Sequence, residues 1–155
     1  MMQTLDIFEW LSKGEWLALL RIGIGLWWLE SVRHKDLKDF LSGGSREWVE
    51  SLLKEHPLPF FASFIQRVSL RSQSTWIVTS WLIVLGELSV GISLTFGLLT
   101  FVGLAIGVLL NLNYLLLAGL KDFGEQGQNA MMLLIQVVLF STASGEVWGL
   151  DSLIF

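Results

Sequence analysis

The chain has 155 residues, with 10 Lys and Arg against 14 Asp and Glu for a formal charge of −4, and it is 53% hydrophobic but only 15% charged. A soluble fold this small has too much surface to hide so much apolar side chain, so an ordinary soluble domain, a disordered chain and a basic nucleic-acid binder are excluded. Cys is absent, which also excludes disulfides, thiol relays, iron–sulfur clusters and thiolate zinc sites.

Residues 1–12 carry Asp6 and Glu9 without a basic leader, so they do not read as a secretory signal. Ile7, Phe8, Trp10 and Leu11 predict instead a short helix lying in the membrane interface. The first apolar stretch, about 16–32, contains Arg21 and Glu30. The segment 33–74 is the one sizeable polar region. It holds both histidines, His34 and His56, which excludes a haem held between two intramembrane histidines. Within it, Ser45 is placed to cap a helix with Trp48, Val49, Leu52 and Leu53 on one face, ended by Pro57. After Pro59, the residues Phe60, Phe61, Phe64, Ile65 and Val68 recur at helical spacing, opposite Gln66 and Arg67. These read as two short amphipathic helices capping a bundle.

From 76 to 120 the sequence is apolar with a single charge, Glu87. One crossing takes about 20 residues, so this length must fold back on itself. The weakest point is 93–97, which gives spans of about 76–95 and 98–119. A charge-free window at about 126–145 supplies the last span, and Val147, Trp148, Leu150, Leu153 and Phe155 return to the interface. The expectation is an all-α integral membrane four-helix bundle, a single membrane domain over 1–155, with amphipathic interfacial helices in the 33–74 loop. Four spans put both termini on one side. Arg33, Lys35, Lys38, Arg46, Lys54, Arg67 and Arg71 in the long loop place that loop in the cytoplasm on a positive-inside count.

Ionisable groups inside a membrane are costly and face the protein interior. Arg21 falls about 8 Å and Glu87 about 12 Å below the terminal side of the bundle, on the rise of a regular helix. That spacing predicts an Arg21–Glu87 ion pair between antiparallel neighbours, most simply a structural clamp, alternatively a ligand or proton site. Toward the loop side, Glu30, Asn111, Tyr114 and Asn129 share a level and are walled by Trp28. Such a layer offers donors, a carboxylate and flat apolar walls, which suit a quinone headgroup. The plainer alternative is that the amides bond neighbouring helices, and that Glu30 snorkels to Arg33 or His34. Gly103 and Gly107 form a G-x-x-x-G that reads as close helix packing, and Gly23, Gly25, Gly86 and Gly91 read the same way. No phosphate loop, nucleophile elbow or metal-ligand cluster is present.

Three blocks then align with one family. Leu20-Arg21-Ile22-Gly23-Ile24-Gly25-Leu26-Trp27-Trp28, followed by Lys35, resembles the first helix of the DoxX/DoxD family. Gly86-Glu87-Leu88 with Gly91, then Leu94-Thr95-Phe96-Gly97-Leu98-Leu99-Thr100, is similar to its second-helix block. Gly145-Glu146-Val147-Trp148-Gly149-Leu150-Asp151 resembles its C-terminal signature. One departure is Phe101, where the family usually carries Arg after the turn. The resemblance implies a four-helix membrane protein of the prokaryotic cytoplasmic membrane, similar to the small membrane subunit of thiosulfate:quinone oxidoreductase. Arg21 and Glu87 fall on the family's characteristic polar positions.

These readings lead to a non-catalytic or co-catalytic membrane subunit that binds a quinone for a partner oxidoreductase, in sulfur-compound oxidation or redox defence. The chain can offer no haem, iron–sulfur cluster or metal site of its own, so electrons would have to be carried by a partner or a diffusible cofactor. Beside the lipid bilayer, its expected partners are another protein or further copies of itself, and no nucleic acid. Two alternatives stay open: a carrier for a small solute or anion with Arg21 as the attracting charge, and a structural anchor or assembly protein without its own ligand.

Overall fold

The computed structural model describes residues 11–142 and 144–154. The expected interfacial helix over Ile7, Phe8, Trp10 and Leu11 lies outside that range except for Leu11, and Phe155 lies outside it as well. Among the described residues every regular element is helical: α1 Lys13–Arg33, α2 Leu37–Ser42, α3 Arg46–Leu53, α4 Pro59–Val68, α5 Gln73–Phe96, α6 Thr100–Tyr114, α7 Phe123–Phe140 and α8 Asp151–Ile154. A π-helical turn, Leu115–Gly119, carries α6 on.

Side-chain caps set where the long helices begin. Ser12 and Glu15 form a reciprocal capping box at the head of α1. The Ser72 hydroxyl accepts from the Thr75 amide before α5, and the Asp122 carboxylate from the Glu125 amide before α7. Gly97, at φ +60°, ends α5 in the left-handed conformation that glycine tolerates best. The Asp122 cap starts α7 at Phe123 rather than at 126. Its end comes at Phe140 rather than at 145, where the hydroxyls of Ser141 and Thr142 turn back onto the carbonyls of Val137 and Val138.

The four long helices pack in cyclic order: α1 on α5, α5 on α6, α6 on α7, and α7 back on α1. Ile24, Trp28, Val90, Leu94, Leu104, Met132 and Leu139 fill the space between them. Their outer faces are apolar as well: Leu26, Trp27, Leu82, Leu85, Ile92, Leu109 and Leu134 all stand exposed. Two stretches, Gln73–Phe96 and Thr100–Gly119, are long and apolar enough to cross a bilayer.

The 33–74 segment folds into three short helices rather than two. The additional one, α2, is started by Asp36, whose carboxylate accepts from the Asp39 amide, and is stopped by Gly43 at φ +92°. Ser45 precedes α3 but makes no side-chain cap bond, and Pro59 opens α4 at a position where its missing N–H costs nothing. α3 and α4 close over the loop-side end of the bundle as a lid. Val49, Leu53, Ala62, Ile65 and Leu70 pack there on Trp76 of α5 and Leu117 of the π turn. Polar contacts fasten it. His56 donates from Nε2 to the Leu116 carbonyl (2.9 Å) and accepts at Nδ1 from the Leu58 amide (3.1 Å), which fixes its tautomer. Lys121 donates to the carbonyls of Leu52 and Lys54 at the end of α3.

Candidate functional site

The buried face of α1 runs through Arg21, Ile24, Gly25, Trp28 and Val32. It meets α5 in antiparallel register. A β-carbon at Gly25 would strike the Thr95 backbone, one at Gly91 would strike Leu29, and one at Gly97 would strike the Arg21 guanidinium. Arg21 therefore lies level with Gly97, ten residues along α5 from Glu87, or about 15 Å. The expected Arg21–Glu87 ion pair does not form. Helical side chains also lean toward the helix N-terminus, which carries the Arg21 head further from Glu87.

Glu87 is fully buried and pairs instead with Lys35, just beyond the end of α1. The Lys35 stem folds back toward the bundle, and its ammonium donates to both Glu87 oxygens (2.9 and 2.7 Å) and to the Ser31 hydroxyl (3.1 Å) and carbonyl (3.2 Å). The Tyr114 hydroxyl donates to Glu87 Oε1 at 2.6 Å. A buried carboxylate is tolerated only when its charge is met and its oxygens are bonded, and three donor contacts provide both here. Sequence reasoning missed Lys35 as the partner of Glu87. The available signal was a lysine one turn past a span that already carried its own internal cation.

This triad sits on the wall of a cavity of about 540 Å³ that extends from the bundle up under the lid. Phe40, Trp48 and Trp76 give it flat aromatic surface, and Thr79, Asn113 and Asn129 add polar groups. Ser45 and Trp76 also line it, and their hydroxyl and indole N–H are buried without a hydrogen-bond partner. The arrangement can accept a flat, apolar molecule bearing hydrogen-bond acceptors, and can exchange a proton with it at Tyr114.

Of the residues expected to line such a site, the structure brings Tyr114 and Asn129 to the cavity together. Asn129 turns its amide back onto Glu125, bonding its carbonyl at 2.8 Å and its carboxylate at 3.2 Å. Trp28 lies behind Tyr114, ring centroids 6.5 Å apart, in the core rather than on the wall. Asn111 is buried off the cavity, with its Nδ2 unpartnered. Glu30 is a correction as a cavity residue, and the alternative, that it reaches Arg33 or His34, is what forms. It sits two residues past Trp28, about 200° round the helix, so it faces outward. There it is half exposed and is clasped by Arg33, with His34 at 3.3 Å. Gly103 stands close against Ser93 and Gly107 against Gln136 and Val90, where helices approach most closely. Gly23 meets nothing within 4 Å, so it is not a packing glycine.

A second polar centre occupies the terminal-side end. Arg21 donates to the carbonyls of Ser144 (2.8 Å) and Trp148 (2.9 Å). The Asp151 carboxylate accepts from the amides of Leu99 (2.6 Å) and Thr100 (2.9 Å), and lies near enough to Arg21 to offset its charge. The amides of Leu150 and Asp151 bond the carbonyls of Phe96 and Gly97. The turn after α7 is thus latched onto the α5–α6 turn. The sequence did carry a signal for this. The residue before α6 is Leu99, which cannot cap a helix, so the orphan amides there required an acceptor from elsewhere in the chain. Among the described residues, no three His, Asp or Glu side chains gather to hold a metal ion.

A family model described as "TQO small subunit DoxD" matches residues 16–155, which takes in the triad, the lid and the latch alike. No curated protein and no solved structure matches the chain.

Proposed function

The chain belongs to the DoxD family, that of the small subunit of thiosulfate:quinone oxidoreductase, and on that premise we propose that it is a four-span membrane subunit whose loop-side cavity receives a quinone headgroup. Four crossings would be made by α1, α5, α6 and α7, in the cytoplasmic membrane of a prokaryote, with both termini on one side. The apolar outer faces of these helices support this reading, because lipid is the solvent that such a surface suits.

The observation that carries the function is the Lys35–Glu87–Tyr114 triad on the wall of an aromatic cavity. Reduction of a quinone to a quinol takes two electrons, supplied by a partner oxidoreductase, and two protons. The Tyr114 hydroxyl is the donor this chain offers: its single proton, held on Glu87 in the resting site, would turn to a quinone oxygen and be replaced once for each of the two protons delivered. A proton leaving it can be replaced along the line from Lys35 through Glu87, and Lys35 keeps 19% of its side chain exposed. Trp48 and Trp76 offer faces against which a flat ring can lie. The anion-carrier alternative gains no support from Arg21, whose two terminal guanidinium nitrogens are held by backbone carbonyls.

The test is titration of the purified protein in nanodiscs with decylubiquinone, read by tryptophan quenching. We expect binding by the native chain and a loss of about tenfold or more in Glu87→Gln, since that exchange removes the charge that orients both donors. Native affinity in a folded Glu87→Gln and in Tyr114→Phe would overturn the proposal.

A further inference from the structure

We infer that the ligand of this cavity enters sideways from the lipid, through an apolar slot between α5 and α6, and that its tail stays in that slot while its headgroup meets the triad. The inference rests on the quinone reading above and names the route and the tail that go with it. Three observations carry it.

The first is the way α5 and α6 diverge. They are close-packed in the terminal-side half, where a β-carbon at Gly103 would lie 2.6 Å from Ser93 Cβ and one at Gly107 3.1 Å from Val90 Cγ1. The cavity begins just beyond, at Gly86 and Ile106, and continues toward the lid. Gly86 leaves room between the helices at the level of the triad: a β-carbon there would stand 3.3 Å from Leu110 Cδ1 across the gap.

The second is the chemistry of the rim. Leu82 of α5 and Leu109 of α6 both line the cavity and are 65% and 66% exposed, so they belong at once to the slot and to the apolar outer surface. An opening between two exposed leucines on a lipid-facing belt admits an apolar chain and turns away a hydrated solute.

The third is closure on the other side. Over the loop-side end the lid is packed on Trp76 and Leu117, and is fastened by His56 and Lys121 to the carbonyls of Leu116, Leu52 and Lys54. The packed lid covers most of the loop side, with Lys35, Glu125 and Gln128 left as a polar edge to the cavity, whereas the cavity's exposed apolar edge is Leu82 and Leu109. Leu82 lies between Thr79, three residues toward the lid, and Glu87, five residues deeper, so the slot passes from an apolar rim to polar groups within two turns. A molecule with a polar flat head and a long apolar tail matches that gradient.

The experiment compares decylubiquinone with its tail-less parent benzoquinone in nanodiscs, using stopped-flow tryptophan quenching. Leu82→Trp and Leu109→Trp place bulk across the rim at exposed positions, where the fold tolerates it. We expect the association rate of decylubiquinone to fall about tenfold in each variant, from the loss of a few methylene contacts and of the open path. The affinity of the tail-less probe should stay within about twofold. Lys121→Ala, which loosens the lid, should leave the decylubiquinone rate unchanged. Equal losses for both probes, an unchanged decylubiquinone rate in the rim variants, or a faster rate in Lys121→Ala would each overturn the lateral route. A native protein that binds neither probe would overturn the quinone reading beneath it instead.

Discussion

At the terminal-side end of the bundle, Arg21 gives its guanidinium to the carbonyls of Ser144 and Trp148, and Asp151 closes onto the bare amides of α6. At the loop-side end, Glu87 is just as deeply buried, yet its partners Lys35 and Tyr114 hold it against a cavity. Both centres compensate a charge that the interior would otherwise reject. The difference lies in what surrounds them. The latch consumes backbone groups that have no other partner, whereas the triad sets hydroxyl, ammonium and carboxylate in line on a cavity wall. A buried charge in a membrane helix is thus not in itself a mark of function. A hollow of about 550 Å³ lies beside Thr100, Ser144 and Asp151 too. The distinguishing feature is therefore that the loop-side charges bond side chain to side chain on the wall of their cavity, while Arg21 and Asp151 are taken up by backbone groups.

The largest expected effect separates the two ends by stability. Arg21→Ala removes two charge-assisted hydrogen bonds, leaves the Ser144 and Trp148 carbonyls without that donor and takes the nearby cation from Asp151, which should cost about 3 kcal/mol or more and lower Tm by about 6–12 °C. Thermal unfolding in detergent, with proteolysis of the segment after residue 141, reads this directly. Asp151→Asn should cost less, and the double variant less than the sum of the two, because the groups share one network. Decylubiquinone affinity of the folded fraction should be unchanged in all three. If Arg21→Ala kept full stability and lost ligand affinity, the roles assigned to the two ends would be reversed.

The next effect sharpens the contrast from the other side. Tyr114→Phe deletes only the hydroxyl that reaches Glu87 at 2.6 Å. Ligand affinity should fall about tenfold while unfolding shifts by only about 1 kcal/mol, since the aromatic ring and its packing on Trp28 persist. Titration and thermal unfolding on the same sample check the split. A stability loss as large as that of Arg21→Ala, with affinity intact, would make the triad a second latch.

Much of the frame was legible in the sequence. Length and hydropathy located the stretches that became α5 and α6, because uninterrupted apolar runs with one charge leave little choice. Pro59 and the periodic phenylalanines located α4. The partners of the buried charges were not legible in the same way, because depth measured from span ends assumes that neighbouring helices end level. They do not: α1 runs on past the end of α5, and this one offset moved Arg21 to Gly97 and gave Glu87 to Lys35. Glu30 was misplaced by a similar simplification, since depth alone ignores the side of the helix a residue faces. The third lid helix escaped because α2 is six residues long, too short for a periodic signal. The three blocks read as resembling the family are spatial neighbours: Arg21, the turn at 97–100 and the segment 145–151 form the latch, while Lys35 and Glu87 meet in the triad with Tyr114.

The smallest effects belong to the exposed carboxylates of α1, one near each end. Glu30→Gln breaks only the surface contacts with Arg33 and His34, so neither ligand affinity nor Tm should move measurably. Glu15 at the opposite end gives a pH signature without a functional one. The Ser12 backbone N–H, and then its hydroxyl, hold the Glu15 carboxyl below the usual carboxylate range. A carboxyl whose folded value is depressed contributes stability above its unfolded value and loses it as pH falls through the folded value. The head of α1 should therefore fray on acidification and stay capped at neutral pH, as NMR titration of the Ser12 and Glu15 amides in micelles would record. In Glu15→Gln the pH dependence should vanish, because the amide still accepts from Ser12 but does not titrate in that range. If ligand affinity followed the Glu15 titration, the helix start would be coupled to a cavity at the far end of α1, and the two ends could no longer be treated as separate devices.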